Sequence, residues 1–299
     1  MTGGAGFIGS NVVRGLLERD IDVLVIDNLS VGRRENVPSA AVLLEADILD
    51  RNIVDEIASC DVVFHLAARV AIRSSFEFVV EDTTANVVGT ANVLSGATCS
   101  GSQVKKFVLA SSMAVYGDSP ESRPITEEYA LQPLSPYGIS KLAAEMLVQQ
   151  MCQQSGIDSA ILRLFNTYGR GQAWSPYVGV ATIFANTMRE GRAPSIFGDG
   201  EQRRDFIHVE DVAQAFINAM VHPTDGKVFN IGAGEALTVN QVYETIAKVV
   251  GFDHPPVYAA AVPGELRNSI ADNSRARETI NFSLKHSFAG SIASVLEKE

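Results

Sequence analysis

Short runs rich in Val, Ile and Leu alternate with longer amphipathic stretches over the first half of the chain. This alternation is typical of βαβ units arranged around a parallel sheet. From about Asn166 the elements become shorter and Pro and Gly interrupt them more often. The pattern predicts strands near 22–26, 41–44, 61–64, 106–109 and 159–162, and helices near 7–19, 50–59, 79–100 and 136–155. We therefore expect an α/β fold, a doubly wound parallel sheet with a smaller mixed α/β C-terminal lobe.

The composition narrows the range of partners. The 299 residues include 24 Lys and Arg against 35 Asp and Glu, which gives a net charge of −11. An acidic surface repels nucleic-acid phosphates and anionic lipids, so we expect no nucleic acid and no membrane as partner. An anionic ligand must then be held by local basic side chains. Cys60, Cys99 and Cys152 lack the paired spacing of metal sites, which predicts no metal and three buried thiols in a reducing cytoplasm.

A glycine-rich turn opens the chain. Gly3, Gly6 and Gly9 precede the first predicted helix, and such glycines let the backbone approach a pyrophosphate at the helix N-terminus. Asp27 ends the next predicted strand, where a carboxylate can bind both ribose hydroxyls and repel a 2′-phosphate. These features predict a Rossmann-like domain that prefers NAD to NADP. The basic residues 33–34, which could hold a 2′-phosphate, are the opposing observation.

The glycine turn also bears on the domain division. We expect residues 1–165 to form the NAD-binding Rossmann domain and residues 166–299 the substrate lobe, with some later segments returning to the first domain. A Rossmann unit begins with an apolar strand of about five residues ahead of its glycine turn, whereas only Met1 and Thr2 precede Gly3. The first strand is therefore expected to be truncated, and the native chain to begin a few residues upstream.

Several motifs, spread along nearly the whole chain, resemble those of the extended short-chain dehydrogenase/reductase family, in particular its nucleotide-sugar epimerases. They include the glycine turn, the serine pair 111–112, the Tyr137-x-x-x-Lys141 pair and the segments 163–169 and 197–211. The Tyr-x-x-x-Lys spacing is common by chance, but its combination with the other motifs is specific. The implied NAD contacts are Gly3, Gly6, Phe7, Ile8, Asp27, Asn28, Ser30, Gly32, Asp47, Ile48, Leu66, Ala67, Ala68, Asn86, Ser111, Tyr137, Lys141 and Phe165.

The resemblance implies that Ser112, Tyr137 and Lys141 are catalytic, and physical chemistry supports these roles. Residues four apart share a helix face, so Lys141 can lie near Tyr137. A phenol of pKa near 10 is a weak base at neutral pH, and a neighbouring ammonium group together with a cationic nicotinamide lowers that pKa. Tyr137 would then accept the proton, while Ser112 would hydrogen-bond the same substrate oxygen.

The resemblance also implies contacts to a nucleotide-diphosphate sugar, made by Ser112, Met113, Asn166, Gln202, Arg204, Arg267 and Ser269. Arg204 and Arg267 would hold the diphosphate from two sides. Their bidentate donors would supply the attraction that the net charge withholds. Ser269 falls where these epimerases place a residue that limits the C2 substituent, and a serine leaves room for an N-acetyl group.

The two residues after Ser112 separate the reactions of this family. Its dehydratases and decarboxylases carry acidic residues there, whereas this chain has Met113 and Ala114, which cannot transfer a proton. We therefore expect NAD-dependent 4-epimerisation of UDP-glucose and UDP-galactose, and of their N-acetyl forms, through a transient 4-keto intermediate.

Other functions remain open at this point. The segment 172–183 also resembles dTDP-sugar 4-epimerases, and an NAD(P)H-dependent keto-sugar reductase would need the same three catalytic residues. A non-catalytic dinucleotide sensor of this fold is disfavoured because Tyr137 and Lys141 are both present. In the family, the helices corresponding to 83–100 and 141–152 form a four-helix bundle between subunits, which predicts a homodimer.

Overall fold

The structure is a computed structural model that describes residues 1–70, 72, 74–119, 123–172, 179–261 and 267–296. The first half contains α1 (Phe7–Leu17), β1 (Leu24–Asp27), β2 (Val42–Glu45), α2 (Ile53–Ala58), β3 (Val62–His65), α3 (Val79–Thr83), α4 (Gly89–Thr98), β4 (Lys106–Ser112), α5 (Pro136–Ser155) and β5 (Asp158–Leu164). A π-helical turn, Thr84–Val88, joins α3 to α4, and a 3₁₀ turn, Met113–Val115, follows β4. The second half contains β6 (Asn166–Tyr168), α6 (Val180–Arg189), β7 (Ser195–Phe197), β8 (Arg203–His208), α7 (Val209–Val221), β9 (Val228–Ile231), β10 (Ala236–Thr238), α8 (Val239–Val250), β11 (Val257–Ala259), β12 (Asn268–Ser269), α9 (Ser274–Ile280) and α10 (Phe288–Ser291).

Two parallel pieces form the main sheet, β2-β1 and β3-β4-β5-β9, and Thr2 joins them. The Thr2 N–H donates to the Phe64 carbonyl of β3, and the Gly3 N–H donates to the Ile26 carbonyl of β1, each at 2.9 Å. The amino group of Met1 donates to the Leu24 carbonyl at 2.8 Å. The chain therefore enters its glycine turn at the centre of the parallel sheet.

Helices cover both faces of this sheet, which confirms the predicted doubly wound fold. On one face, Val12 and Leu16 of α1 pack against Phe216 of α7. On the other face, Val93 of α4 and Val148 of α5 belong to a second buried cluster that also includes residues of α2. These apolar positions recur at helical spacing. Each of these helices therefore buries one apolar stripe against the sheet.

The second lobe is a mixed α/β unit, as the sequence predicts. Strand β8 pairs in parallel with β6 and β12 and antiparallel with β10, while β7 pairs with β11. Tyr168, Phe184, Phe206 and Tyr243 pack between this sheet and helices α6 and α8 in one buried cluster. This cluster holds the strands that carry the predicted substrate residues.

The chain returns from the second lobe to the main sheet over residues 209–231. Helix α7 packs against α1, and β9 lies beside β5 at the edge of the sheet. The carboxylate of Asp205 on β8 accepts hydrogen bonds from the N–H groups of Ala233, Gly234 and Ala271. Helix α7 and strand β9 therefore belong to the first sheet and its helices, although they follow β6 to β8 in the sequence.

Two further features of the described residues bear on sequence expectations. Within the described ranges, no helix has both the length and the apolar character that a membrane crossing requires. The prediction of three buried thiols is wrong for two of them, because Cys60 and Cys99 are half-buried and only Cys152 is buried. Cys60 ends the short turn after α2 and Cys99 follows α4, where the chain meets solvent.

Candidate active site

The glycine turn brings the backbone of α1 against the first strands. Gly3 has a φ of +71°, which favours glycine, and a Cβ on Gly9 would lie 2.1 Å from the Gly3 carbonyl oxygen. Helix α1 begins after Gly6 without a side-chain cap, so its N-terminus is available to an anion. Asp27 is buried at the end of β1, and its carboxylate accepts hydrogen bonds from the N–H groups of Ala5 and Leu29, each at 2.9 Å. The turn and the ribose-binding candidate therefore form one rigid unit.

Five further predicted NAD contacts lie next to this unit. The Asn28 amide donates to the Asp47 carboxylate at 2.8 Å, and the Ser30 hydroxyl donates to the Asn28 side-chain oxygen at 2.7 Å. Gly32 packs against Ala5 so closely that an added Cβ would lie 2.8 Å from it. Ile48 is buried beside α4.

Arg34, one of the two arginines that argued for NADP, forms an exposed ion pair with Glu45 of β2. Glu45 is the register partner of Asp27, so this ion pair lies beside the ribose-binding candidate. Asp27 itself is fixed at the glycine turn, in the position that predicts NAD.

The end of β3 closes against the glycine turn. The ring of His65 contacts the hydroxyls of Thr2 and Thr90 at 2.7 Å and 2.9 Å. Burial and, to a smaller extent, the charge of the nearby Lys141 ammonium group together lower the pKa of His65 to about 3. The ring is therefore neutral. An added Cβ on Gly3 would lie 2.6 Å from the Ala67 nitrogen, which places the segment Leu66–Ala68 directly at the turn.

Asn86 lies in the π-helical turn and connects two helices. Its amide donates to the Ser140 hydroxyl of α5 at 2.9 Å and to the Arg69 carbonyl at 3.1 Å, and its oxygen accepts from the Arg69 N–H at 2.8 Å. Both side-chain atoms of Asn86 that can form hydrogen bonds, the oxygen and the nitrogen, are therefore bound to protein groups.

Two of the three predicted catalytic residues, Ser112 and Tyr137, hydrogen-bond each other at the end of β4, and Lys141 follows one helical turn later. Ser112 caps the 3₁₀ turn, and its hydroxyl accepts from the Ala114 N–H at 3.1 Å. Helix α5 begins at Pro136, capped by Ser135, so Tyr137 lies in its first turn and Lys141 in the next. Both side chains are buried. The geometry brings together a hydroxyl, a phenol and an amine, which is what proton transfer at one substrate oxygen requires.

The electrostatics of this group depend on burial. Burial raises the pKa of Tyr137 to about 12, a hydrogen bond with Ser112 lowers it, and the negative charge of Asp82 raises it. Burial also lowers the pKa of Lys141 to about 8, against the opposing effect of Glu145. Tyr137 can act as a base near neutral pH only with a cation beside it, and Lys141 is the cation that the chain itself supplies.

The predicted substrate residues are carried by the 3₁₀ turn after β4 and by strands β6, β8 and β12 or the residues next to them. Met113 and Phe165 are buried in one cluster, and the Asn166 amide donates to the Asp205 carbonyl at 2.9 Å. Strand pairing places Ser269 opposite Arg204. The Ser269 hydroxyl and the Gln202 side-chain oxygen are buried without a hydrogen-bond partner among the described residues. Such orphaned polar atoms are uncommon and fit a site that contacts a polar ligand.

The two predicted diphosphate contacts are held by protein groups here. Arg267 forms a two-pronged ion pair with Asp199, at 2.8 and 2.9 Å, and this guanidinium holds the pKa of Asp199 well below its usual range. Arg204 donates to the Arg203 carbonyl at 2.9 Å. Residues 262–266, which directly precede Arg267, lie outside the described residues. Residues 173–178 of the segment 172–183 lie outside them as well.

Known protein families and structures resemble this chain in sequence and in fold. A family model described as the NAD dependent epimerase/dehydratase family matches residues 1–232. The chain belongs to this family. This confirms the family resemblance and, with it, NAD as the cofactor for which the glycine turn and Asp27 are suited.

Individual relatives extend over nearly the whole chain. The UDP-glucose 4-epimerase of Mycolicibacterium smegmatis is 35% identical over 305 residues, covering 99% of this chain and 96% of the relative. A solved UDP-glucose 4-epimerase from Thermotoga maritima, with UDP-glucose, is 37% identical with a TM-score of 0.94 and covers 99% of this chain and 96% of its own. A UDP-N-acetylglucosamine 4-epimerase from Methanobrevibacter ruminantium is 32% identical with a TM-score of 0.92, again covering 99% and 96%.

In this member of the family, two buried charges near the catalytic residues were not singled out from the sequence. Glu145 on α5 and Arg163 on β5 form an ion pair in which each side chain is 3% exposed. A signal was present, because Glu145 lies four residues after Lys141 and Arg163 interrupts an apolar strand. The hydroxyl of Ser111, which is predicted as a cofactor contact, donates a hydrogen bond to Glu145 at 2.5 Å.

Proposed function

We propose that the protein is an NAD-dependent 4-epimerase of nucleotide-diphosphate sugars, acting on UDP-glucose and UDP-galactose and on their N-acetyl forms. The observation that carries this proposal is the hydrogen bond between Ser112 and Tyr137 at the end of β4, with Lys141 one helical turn later on α5 and apolar Met113 and Ala114 directly after Ser112. The names of the relatives, two of which act on UDP-glucose and one on UDP-N-acetylglucosamine, support the same substrate class.

Each catalytic side chain has one task in this reaction. Tyr137 removes the proton of the sugar C4 hydroxyl, Ser112 hydrogen-bonds that oxygen, and the ammonium group of Lys141, one helical turn away, favours the phenolate form of Tyr137. NAD⁺, when bound, accepts the C4 hydride and returns it. The 4-keto sugar would have to turn over so that its opposite face is reduced, and Tyr137 would return the proton to the C4 oxygen as the hydroxyl re-forms.

The neighbours of Ser112 restrict the chemistry to this reversible oxidation. Met113 and Ala114 are buried in the 3₁₀ turn, and neither side chain can donate or accept a proton. A dehydration or decarboxylation needs further proton transfers after the oxidation. The site therefore favours return of the hydride to C4 over loss of a neighbouring group.

The substrate is held by residues from both lobes. We assign Asn166 and Gln202 to the sugar nucleotide, Arg204 and Arg267 to its diphosphate, and Ser269 to the C2 side of the sugar. In a chain of net charge −11, two guanidiniums at one site supply the local positive charge that a diphosphate needs. Because Arg267 is paired with Asp199, the diphosphate would have to compete for this guanidinium.

The proposal is tested by incubating the purified protein with UDP-galactose and no added NAD⁺, and following the sugar signals by proton NMR. We expect UDP-glucose to form, because the hydride is returned in each turnover, and the N-acetyl pair to interconvert as well. Turnover of dTDP-glucose alone would favour the dTDP-sugar alternative, and stoichiometric loss of NADH absorbance with a keto-sugar would favour the reductase. Failure to epimerise any UDP-sugar would overturn the proposal.

We also propose that the protein is a cytoplasmic homodimer whose NAD-binding domain comprises residues 1–165 and whose substrate lobe comprises residues 166–299, with residues 209–231 returning to the first domain. The free cysteines are consistent with a reducing compartment. Apolar side chains are exposed on the helices that would form the dimer contact, where Val80, Val88, Ile139 and Met146 are 74%, 54%, 57% and 63% exposed. An exposed apolar face of this kind is typical of a protein interface.

Replacing Met146 by Glu is expected to convert the dimer to a monomer of 32.1 kDa, because the carboxylate would be buried against the partner's apolar helices. Sedimentation equilibrium at micromolar concentration measures the change. Val221→Glu, at an apolar position 63% exposed at the end of α7, is the matched control and should leave the dimer intact. A wild-type protein that sediments as a monomer would contradict the homodimer.

A further inference from the structure

A buried ion pair lies one helical turn beyond Lys141. The guanidinium of Arg163 contacts both carboxylate oxygens of Glu145, from Nε at 2.9 Å and from Nη2 at 2.7 Å. The Ser111 hydroxyl donates to the same carboxylate at 2.5 Å. Ser111 and Arg163 are direct register partners across β4 and β5. Glu145 therefore ties helix α5 to the carboxyl ends of two central strands.

The other side of Arg163 is also engaged. Its Nη1 donates to the Tyr116 hydroxyl at 2.8 Å, and that hydroxyl donates to the Asn230 side-chain oxygen of β9 at 2.7 Å. The guanidinium also lies over the Tyr116 ring, 4.8 Å from its centroid. Because Arg163 is fixed on both sides, the Glu145 carboxylate has one position in which all its hydrogen bonds are made.

Ser111, Glu145 and Arg163 form a clamp. This clamp is connected to both elements that carry the predicted catalytic residues, strand β4 and helix α5. Ser111 precedes Ser112 on β4, so the strand end that carries the hydroxyl is fixed. On α5, Tyr137, Lys141 and Glu145 follow one another at four-residue spacing, so they share one face of the helix. A shift of the helix by one residue would break the clamp.

The charges around Lys141 give Glu145 a second effect. His65 on β3 faces Lys141 but is neutral, since its pKa is lowered to about 3. Asp82 on α3 acts on Tyr137 and is paired with Arg69 at 2.8 Å. Burial alone depresses the pKa of Lys141, and the negative charge of Glu145 opposes that effect.

We propose that Glu145, held by Arg163 and Ser111, is a positioning residue of the active site, which fixes Tyr137 and Lys141 against Ser112 and keeps the Lys141 amine charged. The kinetic part of this inference rests on the proposed epimerase function, whereas its electrostatic part does not. The charged amine is what makes the buried Tyr137 a usable base.

The electrostatic part is tested by titrating the Lys141 Cε signal in ¹³C-lysine-labelled protein, assigned with Lys141→Met. Glu145→Gln removes the negative neighbour, so the titration midpoint should fall by at least about half a pH unit. Arg163→Met leaves the carboxylate uncompensated, so the midpoint should rise. Opposite movements are the expected signature, since a purely structural ion pair would move neither midpoint.

The chain offers a matched control in Asp158→Asn. Lys106 and Asp158 form a 2.6 Å ion pair that joins the same two strands, β4 and β5, at their other end. Its loss should lower the melting temperature without moving the Lys141 midpoint. Should Glu145→Gln fail to fold, Glu145→Asp decides by a smaller downward shift, because its charge lies farther from Lys141. Unchanged midpoints, or midpoints that move in the same direction, would overturn the proposal.

The kinetic part is tested with UDP-galactose at pH 8. We expect Glu145→Gln to lower kcat about tenfold with KM within about twofold of wild type, and Glu145→Asp to restore part of kcat. Equal loss in Asp158→Asn would assign the effect to stability and overturn the positioning role. Should wild-type protein epimerise no sugar, the proposed function fails, while the Lys141 titration still decides whether Glu145 controls its charge.

Discussion

Replacing Tyr137 by Phe is expected to lower kcat for UDP-galactose epimerisation by about 10³-fold, within the range that a positioned acid–base group contributes. The change removes only the hydroxyl that hydrogen-bonds Ser112 and leaves the buried ring in place. KM should change little, because binding depends mainly on the nucleotide and the diphosphate. Initial rates followed by NMR, with the variant at high concentration, measure the loss.

The matched control for this change is Tyr168→Phe. Tyr168 is also buried, burial also raises its pKa to about 12, and its hydroxyl contacts Ser291 at 2.8 Å in the second lobe. This control should cost stability of about 1 kcal/mol for the lost hydrogen bond and leave kcat within a few-fold. A Tyr137→Phe enzyme that retains more than about a tenth of the wild-type kcat would exclude the phenol as the principal base.

Replacing Gly9 by Ala is expected to weaken NAD binding by at least about 100-fold, or about 2.7 kcal/mol. The new Cβ would lie 2.1 Å from the Gly3 carbonyl oxygen and 2.8 Å from the Gly4 Cα, and both are backbone atoms. The glycine turn would have to open, which moves α1 away from the position in which its N-terminus faces the cofactor. Isothermal titration of the NAD-free protein measures the affinity.

Gly179→Ala is the control for this second change. An added Cβ at Gly179, just before α6, meets no atom within 4 Å. Its NAD affinity and melting temperature should therefore match those of the wild type. If Gly9→Ala binds NAD as tightly as this control does, the glycine turn is not the pyrophosphate site.

Local pattern was sufficient to predict most elements of the first sheet and the position of Asp27 beside the glycine turn. The β-branched runs alternate with helical stretches, so the order and type of the first elements follow from the sequence, and Asp27 follows from its distance to the glycine turn. The local sequence pattern did not predict the full length of a strand that is extended by pairing with its neighbour. Strand β4 continues past its apolar run to Ser112 because β5 pairs with it to the end, with Ser112 opposite Leu164.

Long-range pairing also explains what the sequence did not reveal. Glu145 and Arg163 lie on different elements, and only the packing of α5 on the sheet brings their charges together. The stretch 79–100 is predicted as one helix, yet the structure has a π-helical turn at Thr84–Val88. This turn places the Asn86 amide against Ser140, a contact that depends on the neighbouring helix rather than on local sequence.

The return of α7 and β9 to the main sheet has a consequence for how the protein folds. The edge strand beside β5 is supplied only after most of the second lobe has been synthesised, so the first sheet cannot be completed from an N-terminal fragment. Pairing between β5 and β9 joins residues far apart in sequence, which raises contact order and slows folding. A nascent chain released near residue 165 would expose an unpaired strand edge and depend on chaperones to avoid aggregation.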